Sequence, residues 1–439
     1  MTMTGAVAAR HGKAWRGRLG GVVACLALGA CAPLPAFAGT AATSTAVAEA
    51  LTEGTALADA GCRAIAARVD QSPGDRPVLL RSYDGLRGMG APDDPSLRTA
   101  AFTYDNAVAV IALLACGKPA QARRVGEALR LAAMHDGRLR DAYRAGVVGN
   151  ARPLPNGWRD ARRKRWVEAA RQYAGAYQDG TSSGNVAWTA LALLALYDAT
   201  GETRWRDAAV RLAGWVVAHA SDGRGAGGFD GGVESFMLVP RKALWKSTEH
   251  NIDLAALFGW LDRIAAPGGD WATQARRARG FVDAQWDAAS GHFWMGTSAD
   301  GATPVRAPSV LDVQLWAQLL PDAPKAWQRA LDWAEHRHAV AGGFDFNDDR
   351  DGAWTEGTAQ AALAYRRLGH EAEARKLLAS IARQAAPGGF LYATPEARIT
   401  SAYAWYRHQP CLAATAWAVL AALNRNPYVP GDAARIRRH

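Results

Sequence analysis

Apolar residues recur at helical spacing in twelve segments, and two kinds of segment alternate from about residue 44 to residue 423. Six are apolar almost all round: Tyr104–Cys116, Asn185–Thr200, Thr248–Ala265, Ser309–Leu320, Thr355–Leu368 and Cys411–Leu423. Six are amphipathic with one charged face, near 44–68, 118–134, 203–219, 270–286, 324–338 and 371–386. A helix that is apolar on every side must be buried on every side, whereas an amphipathic one covers a core with one stripe. Strict alternation therefore predicts an all-α fold, an (α/α)6 toroid of six inner and six outer helices. The segment near 44–68 is expected to close the ring against the last inner helix. Residues 40–428 would form this single domain.

The connections are unequal. "ACGKPA" and "DATGETR" after two inner helices are short, whereas the stretches entering inner helices are long, 135–183 above all. Four of these stretches share a glycine-aromatic signature, "GAGGFDGG", "SGHFWMGT", "AGGFDFND" and "PGGFLYAT". With the inner helices parallel, these loops and all inner N-termini gather at one mouth of the ring, where long loops on a rigid scaffold carry binding sites.

Each inner helix also opens on polar residues, among them Tyr104-Asp105-Asn106, Ser182-Ser183-Gly184-Asn185, Ser247-Thr248-Glu249-His250-Asn251-Ile252-Asp253, Ser309-Val310-Leu311-Asp312 and Thr355-Glu356-Gly357-Thr358-Ala359-Gln360. Capping accounts for part of this, and Ser309 with Asp312 resembles a capping box. It does not account for Glu249 and Asp253 four residues apart on one face, where like charges repel. Trp245, Phe293, Trp294, Trp354, Tyr403, Trp405 and Tyr406 fall in the mouth loops, and flat rings between carboxyls suit sugar rings. Trp188, Trp260, Trp316, Trp333 and Trp417 lie within helices and read as core.

The segments "YDNAVAVIALL", "SGNVAWTALALLALYDATG", "KSTEHNID", "LDVQLWA", "GFDFNDDRDGAWTEGTAQAALAY" and "AATAWAVLAALNRNPY" resemble a group of exported bacterial proteins of the six-hairpin glycosidase superfamily. The resemblance spans about residues 80–428 and implies a glycan-active toroid, most often a glycoside hydrolase. Such hydrolysis needs one protonated carboxyl and one base or nucleophile. Glu249 is the expected acid, with Asp253 raising its pKa and Lys242, Lys246 and His250 acting the other way. Glu356 is its expected partner, and Asp312 the rival for that role. Asp105, Asn185, His250, Trp245, Trp294, Trp354, Trp405 and Gln360 are the expected substrate contacts. Two other functions stay open: a lyase or sugar epimerase using Tyr143, Tyr173 or His250, and a glycan-binding lipoprotein without turnover.

Five carboxylates crowd "DFNDDRDGAWTE". Counted from Asp345, acids or amides occupy calcium-loop positions 1, 3, 5 and 7, with Glu356 at 12. Arg350 stands at position 6, where that loop needs glycine, so no metal or other cofactor is expected. The basic run "RDARRKR" at 159–165 reads as a solvated helix face.

Arg10, Lys13, Arg16 and Arg18 precede an uncharged apolar run, the pattern of an export signal over residues 1–38. Both Ala36-Phe37-Ala38 and the lipobox-like Leu28-Gly29-Ala30-Cys31 fit cleavage. The second would leave a lipid on Cys31 anchoring the chain to a membrane, so the expected location is periplasmic or membrane-anchored. Without those four basic residues the formal net charge falls from +10 to +6, part of it in the basic tail at 429–439, so nucleic acid is not an expected partner. Cys62, Cys116 and Cys411 remain, without metal-ligand spacing, allowing at most one disulfide and reading as buried thiols.

Overall fold

The computed structural model describes residues 41–85, 94–135, 137–149, 152–160, 162, 164–235, 238–401 and 405–433, with side chains from Gly54 onward, Tyr173 and Ala174 excepted. The segment expected to be an export signal, Cys31, Tyr403 and most of the basic tail lie outside these residues.

Among the described residues, twelve α-helices follow in the expected alternation. The inner ones are α2 (Thr103–Ala115), α4 (Ser183–Thr200), α6 (Thr248–Arg263), α8 (Leu311–Trp316), α10 (Thr355–Arg367) and α12 (Leu412–Leu423). The outer ones are α1 (Ala41–Asp70), α3 (Pro119–His135), α5 (Thr203–Ala220), α7 (Trp271–Ala284), α9 (Arg329–His338) and α11 (Glu371–Ala382). Every residue of α4 from Ser183 to Leu196 is buried, whereas α5 buries only a stripe containing Trp205, Ala208, Ala209, Leu212, Ala213 and Val216. Gly201, at φ +71°, ends α4 in the left-handed conformation that glycine adopts without penalty. Each inner helix packs on the next, and α12 packs on both α2 and α1, closing the ring as expected. The chain is an (α/α)6 toroid.

One backbone bond repeats around the whole ring. The first amide of each inner helix donates to a carbonyl in the loop entering another: Thr103 to Asp141, Ser183 to Gly231, Thr248 to Met295, Leu311 to Phe346, Thr355 to Ala393 and Leu412 to Ser82. These amides belong to the orphan donors that any helix start leaves unpaired, so neighbouring loops satisfy them here. Strands of two or three residues carry the stitch, for example 181–182 on 232–234 and 246–247 on 296–297. They are too short to show alternation in a sequence. Glycine is needed where the strands cross: a Cβ at Gly232 would stand 2.3 Å from Thr181 O, and one at Gly296 2.0 Å from Lys246 O. The aromatic of the signature is the buried anchor of the same loops, as Phe229, Phe293, Phe344 and Phe390.

Three expectations need correction. Cys62 of α1 and Cys116 after α2 form a disulfide, their Cα atoms 5.7 Å apart, and only Cys411 is a free thiol among the described cysteines. A separation of 54 residues in sequence carries no such geometry; hairpin packing supplies it. Of the basic run at 159–165, Arg159 ends a β-strand of 157–159 that pairs antiparallel with 166–168, and the described residues of the run are not helical. Ser309 forms no capping box, because α8 starts two residues later at Leu311. Its hydroxyl instead bonds His338 Nε2 and accepts from Trp333 Nε1.

Candidate active site

The stitch fixes all six inner helices in one register, so equivalent positions can be compared around the ring. The second residues are Tyr104, Gly184, Glu249, Asp312, Glu356 and Ala413, and the sixth are Val108, Trp188, Asp253, Trp316, Gln360 and Trp417. Positions four apart share a helix face. Side-chain contacts confirm that this face meets at the axis, because residues from non-adjacent helices touch there. Trp188 of α4 and Trp316 of α8 have ring centroids 5.3 Å apart, and both pack on Trp417 of α12. These tryptophans, core as expected, fill the axis together with Tyr104 and Tyr428.

The carboxyls of the second positions lie around this aromatic plug. Tyr104 OH donates to Glu356 Oε1 at 2.6 Å across the ring, and Gln360 Nε2 reaches the same oxygen at 3.3 Å. Trp417 Nε1 donates to Tyr104 OH at 2.7 Å. An indole N–H can only donate, so the tyrosine proton points at Glu356 and Oε1 is an acceptor. Burial pushes the Glu356 carboxyl up to about 7, against the lowering bond from Tyr104. Asp105, the next residue of α2, is also buried and near enough to Glu356 to raise it further; its own pKa is raised by burial, with a bond to Ser82 opposing.

Asp312 and Glu249 are hydrogen-bonded to each other. Burial raises the Asp312 pKa, and Asp312 Oδ1 also accepts from the Val313 amide at 2.7 Å. Two carboxyls in contact disfavour being ionised together, which favours a proton shared between them. Asp253 lies close to Asp312 and accepts from Tyr428 OH at 2.5 Å; burial holds its pKa well above the usual range. Asp253 therefore belongs to the cluster, but the bonded neighbour of Glu249 is Asp312. Lys242 and Lys246 are engaged elsewhere, with Asp230 and Asp222.

The remaining expected contacts divide clearly. Asn185 Nδ2 is bound to Asp141 Oδ1 at 2.7 Å. His250 is fully buried, bonded to Ser183 Oγ, and burial lowers its pKa to about 3; it is neutral and walled in against Gly184. Trp245 donates to Glu234 and packs on His250. Trp354 is in the wall between Phe346 and Tyr406, not on an open face, and Phe293 is packed between Trp286 and Trp327. Trp294 is half-buried under Arg306, and Trp405, 49 % exposed, lies beneath Arg398.

Asn251, one turn into α6, also has an architectural role. Its amide bonds both the N–H and the C=O of Phe229. Asn106 does the same to Leu80, and Gln314 to Phe293. Thr358 and Thr415, at the same fourth position, accept from Phe344 N and Leu391 N. This clamp explains much of the polar clustering at the helix starts. Tyr104, Trp417 and Tyr428 were absent from the expected site; the register of Tyr104 and Trp417 with Glu356 and Asp253 is the signal that finds the first two.

No protein-family model matches the chain, and no curated protein matches it in sequence. Solved structures do match in shape. A glycosidase in complex with glucose superposes with a TM-score of 0.58 at 12% identity, covering 85% of this chain and 98% of its own. A cellobiose 2-epimerase from Spirochaeta thermophila gives 0.57 at 12%, covering 85% and 96%. A GH76 α-mannanase from Bacteroides thetaiotaomicron gives 0.50 at 11%, covering 83% and 95%. The chain thus has the six-hairpin, (α/α)6 toroid fold of glycosidase-like proteins.

Proposed function

We propose that the protein is an exported glycoside hydrolase acting on a polysaccharide or oligosaccharide of the envelope or extracellular matrix. The observation that carries this reading is the convergence of two differently prepared carboxyl sites on one axis. In this reading the Glu249–Asp312 pair shares a proton, which a general acid must have to give, and burial raises the Asp312 pKa. Glu249 is the donor to the glycosidic oxygen, and Asp312 is the neighbour that keeps the proton there. Glu356 is the base or nucleophile, oriented through Oε1 by Tyr104 and Gln360 and poised near neutrality. A separation near 5 Å between acid and base would give retention and a wider one inversion. The Cys62–Cys116 disulfide supports export, since such bonds persist in oxidising compartments.

An epimerase or lyase on the same ring is the second reading, favoured by the shape match to an epimerase. Of the residues suited to it, Tyr143 OH already accepts from the Arg140 amide at 3.1 Å, and His250 is fully buried with its Nδ1 on Ser183 Oγ. The test is a glycan panel followed by reducing-end assay and proton NMR of the anomeric signals. Hydrolysis is expected, with Glu249→Gln and Glu356→Gln each reducing turnover at least ~100-fold while circular dichroism is unchanged. Full activity in both variants, epimerised or unsaturated products, or binding without turnover would each overturn the assignment.

A further inference from the structure

The insertion between α3 and α4 concentrates the positive charge of the molecule. Residues 144–171 hold eight Arg or Lys against two acids, a net +6 and more than half of the +10 of the whole chain. The structure places this charge at the end of the ring where the inner helices begin. Residues 142–144 pair antiparallel with 100–102, so Arg144 stands opposite Ala100, just ahead of the start of α2 at Thr103. Thr99 Oγ1 bonds Gly157 O at 2.7 Å, which ties the hairpin of 157–159 and 166–168 to the same entrance.

The cations of this hairpin are left without counter-charges. Arg159, Arg162, Lys164 and Arg165 are exposed, and among the described residues none of the four has a carboxylate partner. Of the two acids, Glu168 pairs with Arg171 at 3.8 Å, and Asp160 Oδ1 accepts from the Arg162 amide at 2.9 Å. Arg144 is held more firmly. Its guanidinium lies 3.8 Å from the centroid of the Trp166 ring, and its Nε is buried without a hydrogen-bond partner. Gly157 makes room for that indole, since a Cβ there would come within 2.8 Å of Trp166 Nε1. Like charges crowded on one turn repel one another, and a ligand with several anionic groups relieves that repulsion.

We propose that this basic strip binds an anionic polysaccharide, carboxylated or sulfated, and leads it to the mouth, which makes such a polymer the substrate class of the axial site. The inference rests on the proposed glycoside hydrolysis. Arg144, Arg159, Arg162 and Arg165 present planar forks that match the paired oxygens of carboxylates and similar oxyanions. Anions repeated along a chain engage several of these cations at once, and a basic surface beside a cleft raises the local concentration of such a ligand. Single-stranded nucleic acid would need open aromatic faces for its bases, whereas Arg144 covers Trp166. A bilayer would need apolar side chains at the tip of the hairpin, and the described turn residues Asp160, Arg162, Lys164 and Arg165 are all charged.

Fluorescence anisotropy of labelled polygalacturonate, dextran sulfate and uncharged dextran, titrated with the whole chain at low and high salt, tests this. At least one anionic polymer is expected to bind, with salt weakening it, and uncharged dextran is expected not to. Lys164→Glu combined with Arg165→Glu should weaken binding at least about tenfold with circular dichroism unchanged. The same change of charge on the outer helix α7, Arg276→Glu with Arg277→Glu at exposed positions, should have less than about a threefold effect. Absence of binding to both anionic polymers, equal loss in the two double variants, or tighter binding to oligo(dT) or phosphatidylglycerol vesicles would each overturn the strip's assignment. Binding is read here without turnover, so these results are separate from the test of hydrolysis. Hydrolysis confined to uncharged glycans would overturn the substrate class and leave the hydrolase standing.

Discussion

Two sets of buried polar residues occupy the first turns of the inner helices, and they differ in what they bond. The fourth-position set, Asn106, Asn251, Gln314, Thr358 and Thr415, bonds the backbone of neighbouring loops. The second-position set, Tyr104, Glu249, Asp312 and Glu356, bonds other side chains across the ring. Burying an amide that replaces its water contacts with backbone partners costs little and fixes geometry. Burying carboxyls near one another raises their pKa values and lowers stability. The first set holds the ring together; the second is tolerated at a cost in stability, the usual mark of a site kept for chemistry.

The sharpest way to break this contrast is to remove the cost. Glu356 has a folded pKa near 7, against about 4.3 for an unperturbed glutamate. The folded protein then binds more protons than the unfolded chain between those values. Stability contributed by the neutral form is therefore present below about pH 4 and declines as pH rises towards 7. Glu356→Gln keeps an acceptor for Tyr104 but removes the charge. It should be more stable than the wild type at pH 8, by up to about 3 kcal/mol, with the difference vanishing near pH 4. Urea unfolding at the two pH values measures it. A variant less stable than wild type at pH 8 would place Glu356 among the architectural residues.

How much of this was visible beforehand follows the same division. The twelve helices were legible because apolar periodicity directly reports burial, and α4 and α5 differ in sequence as they differ in burial. Glu249 and Glu356 stood out as charges in apolar helices. The clamp was not legible, because Asn251 looks like part of a catalytic string until Phe229 is placed against it. Trp354 was misplaced for a related reason: a tryptophan in a loop has no periodicity to reveal which way it packs. Tyr104 was passed over beside Asp105, since the bond that matters joins residues 252 apart.

Removing a clamp should produce the opposite pattern from removing a carboxyl. Asn251→Ala leaves the Phe229 N–H and C=O buried without their side-chain partner. A loss of about 2–3 kcal/mol is expected from two orphaned groups, at both pH 4 and pH 8, because nothing titrates. Activity per folded molecule should persist at temperatures well below the transition. Chemical denaturation with a parallel activity assay separates the two; lost turnover in a stably folded variant would move Asn251 into the site.

Tyr104→Phe gives the smallest and most discriminating effect. The ring still fills the axis against Trp188 and Trp316, so packing survives. Glu356 Oε1 loses its shorter donor, and Trp417 Nε1 loses its acceptor. One bond that lowers the Glu356 pKa disappears, so the acidic limb of the pH–rate profile, which the ionisation of this base governs, should shift upward. Turnover at neutral pH should fall about tenfold, the equivalent of a net bond of 1–1.5 kcal/mol, with little change in KM. A pH profile that stays in place while kcat falls would mean that Tyr104 acts on Glu356 through position alone. An unchanged kcat would remove Tyr104 from the second-position set and leave the axis to the carboxyls themselves.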